Sequence, residues 1–427
     1  MEKLSVYAGQ FLAGYLSEDP VHGLSFSYNE QWLTNPKAIP LSPDLPLSEQ
    51  PICGDKVIAF FENLLPEGEI LDFISKVEQI SPSNKFGLLA RFGGDTAGAF
   101  SILPKGILPS PKPHYLPISP ETILQWFQRS KGIPINLSGE QARMSLSGAQ
   151  DKMTVFIDAT GQFLLPLGSA PSSHIIKPSI QHRLDIPNTA INESLVMMLA
   201  KAIEFSVANI HYAPELGAAI VQRYDREFDV NGQLNRLHQI DLCQLLSIPS
   251  GKKYESEGGP SLKQCFDALL ARSSKPAGDK KRLIEWVIFN VLVGNMDGHA
   301  KNLSLITQGK QTKLAPFYDL VCTAVYPNLS KKLAFKIGGE NRPQWLMPRH
   351  WDQFAQDTST KPQFVRKLIA EISNKIEVEL PNVINQLQSL TSKEDELLMI
   401  ENIRSHIQQS VTTMKNRNDD IDCVSVA

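Results

Sequence analysis

The sequence is poor in the features that announce special classes of protein. Its longest apolar run, Trp286–Val293, is interrupted by Asn290, well short of the roughly 20 residues a membrane helix needs. No apolar segment follows Met1-Glu2-Lys3-Leu4, so a secretory leader is not expected. The five cysteines, Cys53, Cys243, Cys265, Cys322 and Cys423, form no C-x-x-C pair, which argues against a disulfide framework and a cysteine-built zinc site. The cytoplasm is therefore the expected compartment. Net charge is small, −3 from 42 Lys plus Arg against 45 Asp plus Glu, so DNA binding through bulk positive charge is not expected. There is no internal repeat and no low-complexity tract. Neither G-x-G-x-x-G nor G-x-x-x-x-G-K-[ST] occurs.

What is present is an ordinary globular composition, 42% hydrophobic and 20% charged, over a length that suits two or three domains. Residues 1–105 read as strands and turns with one helix. Leu4–Tyr7 and Phe11–Leu16 flank a Gly9-Gln10 turn, and Leu24–Tyr28 alternates apolar residues with serine. Five prolines between Pro36 and Pro51 predict an irregular loop, and Val57–Leu65 predicts a helix. The proline-rich stretch Pro104–Pro120 reads as a connector. Beyond it, Met153–Ile157 and Phe163–Leu165 form a hairpin around Gly161, and His174–Lys177 and Ala218–Val221 are further strands. Ile191–Phe205 is an amphipathic helix, and from about residue 236 helical patterns dominate. These patterns set the expected division at 1–105, 106–230 and 231–427.

The strongest chemical signal is Gly294-Asn295-Met296-Asp297-Gly298-His299-Ala300-Lys301-Asn302. Asp297 and Asn302 are spaced D-x-x-x-x-N, the spacing of a protein-kinase catalytic loop. Phosphoryl transfer needs a carboxylate to orient the attacking hydroxyl, an amide oxygen near the metal and a second carboxylate for Mg²⁺. Asp319, expected at the end of the next strand, supplies the last. Asp297 and Asn302 alone would more readily be turn caps; the whole string with Asp319 reverses that and favours chemistry. Lys177, ending a strand, and Glu193, in the first turn of the 191–205 helix, complete the kinase order. Each alone would pass as a solvated lysine or a carboxylate at a helix N-terminus. Met144–Lys152, rich in serine and glycine, stands where a phosphate loop belongs. Val221–Arg226 reads as a hinge offering backbone groups to adenine. The polar loop Lys252–Gly259 faces substrate or is a surface turn. His299 has no partner histidine at ligand spacing and reads as a polar contact near nucleotide.

These strings resemble the HipA family, the toxin kinases of type II toxin–antitoxin systems. The likeness rests on Ser145–Lys152, Ser173–Lys177, Gln222–Arg226, Asp241–Gln244, Lys253–Pro260, Gly294–Asn302 and Pro316–Asp319, with Phe61–Pro66 and Asp95–Ala99 in the N-terminal part. It implies an α+β, two-lobed protein-kinase-like fold, with a β-rich N-terminal lobe and a mostly helical C-terminal lobe. It further implies a bacterial Ser/Thr protein kinase using ATP and Mg²⁺. Asp297 would be the catalytic base, and Asp319, assisted by Asn302, would hold Mg²⁺. Nucleotide would be held by Ser147, Gly148, Ala149, Gln150, Asp151 and Lys152, by Lys177, and by Gln222, Arg223, Tyr224 and Asp225. His299, Ala300, Lys301, Asn302, Tyr318 and Asp319 would complete its site.

The family is regulated by autophosphorylation of a phosphate-loop serine. Ser145 matches that position best, and Ser147 is a second candidate. Gln222 stands where glutamate is frequent. The substrate implied is an aminoacyl-tRNA synthetase such as glutamyl-tRNA synthetase, whose phosphorylation halts translation and brings dormancy and persistence. The implied partner is a HipB-like helix-turn-helix antitoxin that carries the complex onto operator DNA. The competing readings are a small-molecule phosphotransferase of the aminoglycoside or choline kinase type, and a non-catalytic pseudokinase acting as co-repressor.

Overall fold

The computed structural model describes residues 2–130, 150–180 and 183–424. The expected phosphate-loop residues Ser145, Ser147, Gly148 and Ala149 lie outside the described residues. Strands and helices are both abundant, making the chain α+β as expected. It divides into two compact units. The first holds the chain up to Lys177, then Val221–Lys252 and Ser304–Lys310; the second holds Pro178–Ile220, Lys253–Leu303 and the chain from Gln311 onward.

The first unit is built on two antiparallel sheets. In one, strands β1 (Lys3–Ala8), β2 (Phe11–Asp19), β3 (Gly23–Tyr28), β4 (Ile52–Cys53) and β5 (Phe100–Pro104) lie in the order β4-β3-β2-β1-β5. The β1–β2 hairpin closes with Ala8 opposite Phe11 across Gly9-Gln10, as the alternation predicted. Leu4, Val6, Leu16 and Phe26 are buried, and Phe26 packs on Phe61 of the Asp55–Glu62 helix with ring centroids 5.9 Å apart. The proline-rich 36–51 segment is irregular but anchored. The Tyr28 hydroxyl donates to the Leu45 carbonyl at 2.5 Å and accepts from the Leu41 N–H at 2.8 Å.

The expectation of one helix in this region is corrected. Glu30–Leu33, Gly68–Glu78 and Lys85–Phe92 are helical too. Gly68 opens one and Gly87 lies inside another, so their composition reads as turn. The Asn29 and Asn84 side chains nevertheless accept N-terminal N–H groups and start two of them.

In the second sheet, β6 (His114–Pro117), β7 (Met153–Ile157), β8 (Phe163–Leu167) and β9 (His174–Pro178) run β9-β7-β8-β6. The connector reading of 104–120 thus misses a strand. Among the described residues β6 pairs with β8 alone, and an edge position tolerates its proline. Two short antiparallel pairs complete the unit, Arg226–Phe228 with Leu234–Arg236, and His238–Asp241 with Ser304–Gln308.

The second unit is mostly helical. Its long helices are Thr189–Ala202, Pro276–Val293, Pro362–Gln388 and Glu394–Val424, and Pro362–Gln388 packs against the other three. Buried Val365, Leu368, Ile372, Ile376, Ile403 and Ile407 fill the seam at helical spacing. Among the described residues no helix is long and apolar enough to cross a membrane.

Candidate functional site

The Pro276–Val293 helix delivers the chain to the loop that carries Asp297. Gly294 ends it in the left-handed region at φ 72°, where an ordinary residue is strained. From there the loop is fixed by a relay of amides. Asn290, which breaks the apolar run in sequence, is buried, and its side chain donates to the Trp286 carbonyl at 2.8 Å. Its Oδ1 accepts from the Asn295 amide at 2.7 Å, and Asn295 Oδ1 accepts the Asp297 backbone N–H at 3.0 Å. Thr323 adds a brace, its Oγ1 accepting the Met296 N–H at 2.7 Å. The outcome is a loop in which Asn295, Met296, Gly298 and His299 are buried while Asp297 is exposed. Among the described residues its carboxylate meets one side chain, the Tyr254 hydroxyl, which donates to Oδ1 at 2.5 Å. Tyr254 also stands edge-on to the His299 ring, centroids 5.1 Å apart.

The turn that follows presents Asn302. Its Oδ1 accepts the His299 N–H at 2.9 Å and its Nδ2 donates to Asp319 Oδ2 at 2.8 Å, so Asn302 and Asp319, expected to act together, are brought together. Buried Lys301 accepts, through its carbonyl, a 2.5 Å hydrogen bond from the Tyr318 hydroxyl. Ala300 is buried, its N–H directed at the Lys253 carbonyl at 3.4 Å.

Asp319 is not at a strand end, as expected. The preceding strand stops at Leu314, and Asp319 sits in a loop at φ 59°. Such a conformation in a non-glycine residue persists only when its flanks are held. On one side Phe317 bridges to the 206–208 segment through Phe317 N–H to Ser206 carbonyl and Ala208 N–H to Phe317 carbonyl, both 2.8 Å. On the other, Asn192 clamps Cys322 reciprocally, accepting its N–H at 2.7 Å and donating to its carbonyl at 2.9 Å. Glu193, next along, is buried one turn further into its helix than expected, because that helix starts at Thr189.

The other expected nucleotide residues belong to the first unit. Lys177, next to last in β9, is buried, as is Asp151; Gln150 and Lys152 are half-buried. Gln222 is exposed and Tyr224 half-buried.

Arg223 and Asp225 between them enter a cluster that sequence reasoning missed. Arg223 donates to Asp225 through Nε at 3.0 Å and Nη2 at 2.8 Å, and through Nη1 to Asp95 at 3.4 Å. Arg226 reaches Asp225 at 2.8 Å and Asp95 at 3.0 Å, and Arg236 reaches Asp95 at 3.0 Å. Arg223 and Arg226 share the Thr96 carbonyl, at 2.9 Å each. Gly98 closes the cluster. Its N–H donates to Asp225 at 2.8 Å and its carbonyl accepts from Arg226 at 3.2 Å. At φ 80° and with a hypothetical Cβ 2.8 Å from the Gln239 carbonyl, that approach needs glycine. Burial by itself pushes both aspartates up; the surrounding guanidinium groups outweigh it and hold Asp95 and Asp225 below the usual carboxylate range. Burial and repulsion from Arg223 lower Arg226 to about 10.

Two family models account for most of the chain, the HipA N-terminal domain over residues 4–103 and the HipA-like C-terminal domain over 144–380. The chain belongs to the HipA family. It is 35% identical to a putative kinase, Y4mE, of Sinorhizobium fredii, across 91% of this chain and 93% of that protein. It is 29% identical to the serine/threonine-protein kinase toxin HipA of Shewanella oneidensis, across 92% and 91%. The solved complex of Shewanella oneidensis HipA with HipB and operator DNA contains a chain matching 98% of this one and 99% of its own length. The TM-score is 0.82 at 28% identity. The HipA kinase-like fold is thereby shown for this chain, and the two relatives above carry the names putative kinase and serine/threonine-protein kinase toxin.

Gly294 offers a test of how this HipA-family loop is launched. A Cβ there would lie 2.2 Å from His406 Nε2 and 2.7 Å from Ala324 Cβ, in a backbone conformation costing an L-residue about 1–2 kcal/mol. Gly294→Ala is expected to lower the unfolding free energy, measured by urea denaturation, by at least that conformational cost, and so to move the midpoint down. A midpoint equal to wild type would show that the loop does not depend on this turn.

Proposed function

We propose that this chain is a toxin Ser/Thr protein kinase that transfers the γ-phosphate of ATP to a serine of a protein substrate. The observation that carries the reading is the arrangement around Asp319. An exposed carboxylate at 297, an amide at 302 and a strained carboxylate at 319 are held by their own hydrogen bonds, with Asn302 joined to Asp319 at 2.8 Å. Asp297 orients the substrate hydroxyl and accepts its proton, while Tyr254 steadies that carboxylate from the side. The Asp319 carboxylate, an anionic oxygen donor, fits a hard cation such as Mg²⁺, and Asn302, which holds that carboxylate through its Nδ2 at 2.8 Å, would assist. When bound, that ion would neutralise phosphate charge.

Lys177, Gln150–Lys152 and the 145–149 segment cradle the phosphates in this reading. The backbone of Gln222–Tyr224 holds adenine, with the Arg223 and Asp225 side chains fixing it from behind. His299, Ala300, Lys301 and Tyr318 shape the remainder of the nucleotide site. The substrate proposed is an aminoacyl-tRNA synthetase, glutamyl-tRNA synthetase first, whose modification would inhibit translation and bring dormancy. Likeness over almost the full length to a HipA solved with HipB and operator DNA supports a HipB-like antitoxin partner, with DNA reached through that complex.

The direct test is incubation of the purified chain with labelled ATP, Mg²⁺ and candidate synthetases. Phosphoserine on the synthetase supports the reading, and phosphate passed only to small alcohols overturns it. Asp319→Asn is expected to weaken ATP binding in the presence of Mg²⁺ and to leave metal-free nucleotide binding nearly unchanged. Calorimetric titration with and without Mg²⁺ checks this, and equal affinities for Mg²⁺-ATP in both proteins would remove Asp319 from the metal site.

Autophosphorylation at Ser145 or Ser147 is proposed as the off-switch. A phosphoserine adds about −1.5 to −2 charges to a segment that must lie over an anionic nucleotide, so ATP affinity is expected to fall. Comparing phosphorylated with phosphatase-treated protein in an ATP-binding assay tests it; equal affinities would refute the switch.

A further inference from the structure

We infer that Asp19, His22 and Cys53 form a binding site for a divalent cation of the zinc type on the N-terminal sheet. Among the described residues they are the group of three His, Cys, Asp or Glu side chains whose ligand atoms all lie within 4.8 Å of one another. The trio mixes a carboxylate, an imidazole and a thiol, a set that suits zinc and is of no use to Mg²⁺ or Ca²⁺. Cysteine spacing gave no sign of it because strand pairing supplies the third ligand.

The backbone holds all three positions. Asp19 ends β2 and Gly23, its partner in the ladder, opens β3. The tip between them is tied to Asp19 Oδ1, which accepts the N–H groups of Val21 at 2.9 Å and His22 at 2.7 Å. The His22 ring Nδ1 lies 3.1 Å from the same oxygen. Cys53 is delivered by β4, where it stands opposite Ser25, and Gly54 N–H bonds the Leu24 carbonyl at 3.0 Å. The Cys53 thiol is 3.3 Å from Ser25 Oγ, a nearly buried hydroxyl able to orient a ligating sulfur.

The turn's hydrogen bonds use Asp19 Oδ1 alone, which leaves Oδ2 to a cation. In a tetrahedral zinc site donor atoms are about 3.5 Å apart, so closing on the ion takes side-chain rotation of exposed His22 and Cys53 and no movement of the sheet. Water completes the coordination. On binding, the thiol proton passes to solvent and the thiolate takes its place on the metal. The site would staple the β2–β3 tip to β4 and to the start of the Asp55–Glu62 helix.

The full chain tests this with Zn²⁺ and Co²⁺ as probes. Zn²⁺ is expected to slow alkylation of Cys53, followed on its own peptide by mass spectrometry, about tenfold or more, whereas Mg²⁺ leaves it unchanged. Co²⁺ is expected to give a thiolate charge-transfer band that Cys53→Ser abolishes. His22→Gln, an exposed change that spares the fold, is expected to lose the protection. The proposal is overturned if Zn²⁺ leaves the alkylation rate of wild type unaltered, if the cobalt band survives Cys53→Ser, or if His22→Gln is protected as well as wild type. The last result would mean a lone thiol binding metal adventitiously. Among the described cysteine side chains, Cys243, Cys265 and Cys322 are buried, and following Cys53 on its own peptide separates its rate from that of any other cysteine, Cys423 included.

Discussion

Asp297→Gln is expected to reduce phosphoryl transfer by about 10²–10⁴-fold, the usual consequence of losing a general base, while leaving the thermal midpoint close to wild type. The two halves of that expectation come from different observations. The loss of rate follows from the proposed role of Asp297, the one exposed residue in an otherwise buried loop and so the carboxylate open to an incoming hydroxyl. The unchanged stability follows because Asp297 supports little. The loop is held by its backbone N–H to Asn295 and by the Asn290 and Thr323 contacts, none of which uses its carboxylate. Glutamine retains a side-chain oxygen able to accept the Tyr254 hydroxyl, and Asp297 is exposed, so its longer chain has room. Autophosphorylation and circular dichroism on the same preparation separate the cases. Wild-type turnover would remove Asp297 from the chemistry, and a collapsed midpoint would make its role structural.

What could be read in advance was what the chain spells locally. The β1–β2 hairpin, the β7–β8 hairpin and the helix leading into Gly294 announce themselves because alternation, turn residues and helical spacing act over a few positions. The D-x-x-x-x-N string is legible for the same reason. Asn290 was visible too, but as a flaw in an apolar run; its meaning lies in a side chain that satisfies one helix carbonyl and aims Asn295. Tyr254 was seen inside a polar loop of undecided role, since nothing in sequence links it to Asp297 in space. The helices within 1–105 were hidden because their glycines and flanking serines and prolines read as turn, and tertiary burial of Ile70, Ile74, Leu88 and Leu89 overrides that propensity. The buried charge cluster was the least legible of all. Its aspartate at 95 and its arginines at 223, 226 and 236 meet only through the fold, and charged residues in sequence are by default assigned to the surface.

That cluster carries the largest expected effect on stability. Asp95→Ala is expected to destabilise the first unit by about 3–5 kcal/mol, enough to unfold a marginal domain. Asp95 and Asp225 face Arg223, Arg226 and Arg236, so the group already has one guanidinium in excess, shared among the carbonyls of Gly94, Thr96, Gly98 and Ser169. Removing Asp95 strands three arginines, each nine-tenths buried or more, with a single carboxylate. Asp95→Asn keeps the shape and isolates the charge, so it should fall between alanine and wild type. Acid should reproduce the loss. Because the arginines hold both aspartates below their unfolded values, their contribution is complete above the ordinary carboxylate range and declines as pH falls through the depressed folded values. Urea denaturation of wild type and Asp95→Asn from neutral pH downward checks both statements. The two curves should converge as acid protonates Asp95 in the wild type. A gap that stays constant at low pH would mean that the carboxylate's charge contributes nothing and that shape alone holds the Gln222–Arg226 segment in place.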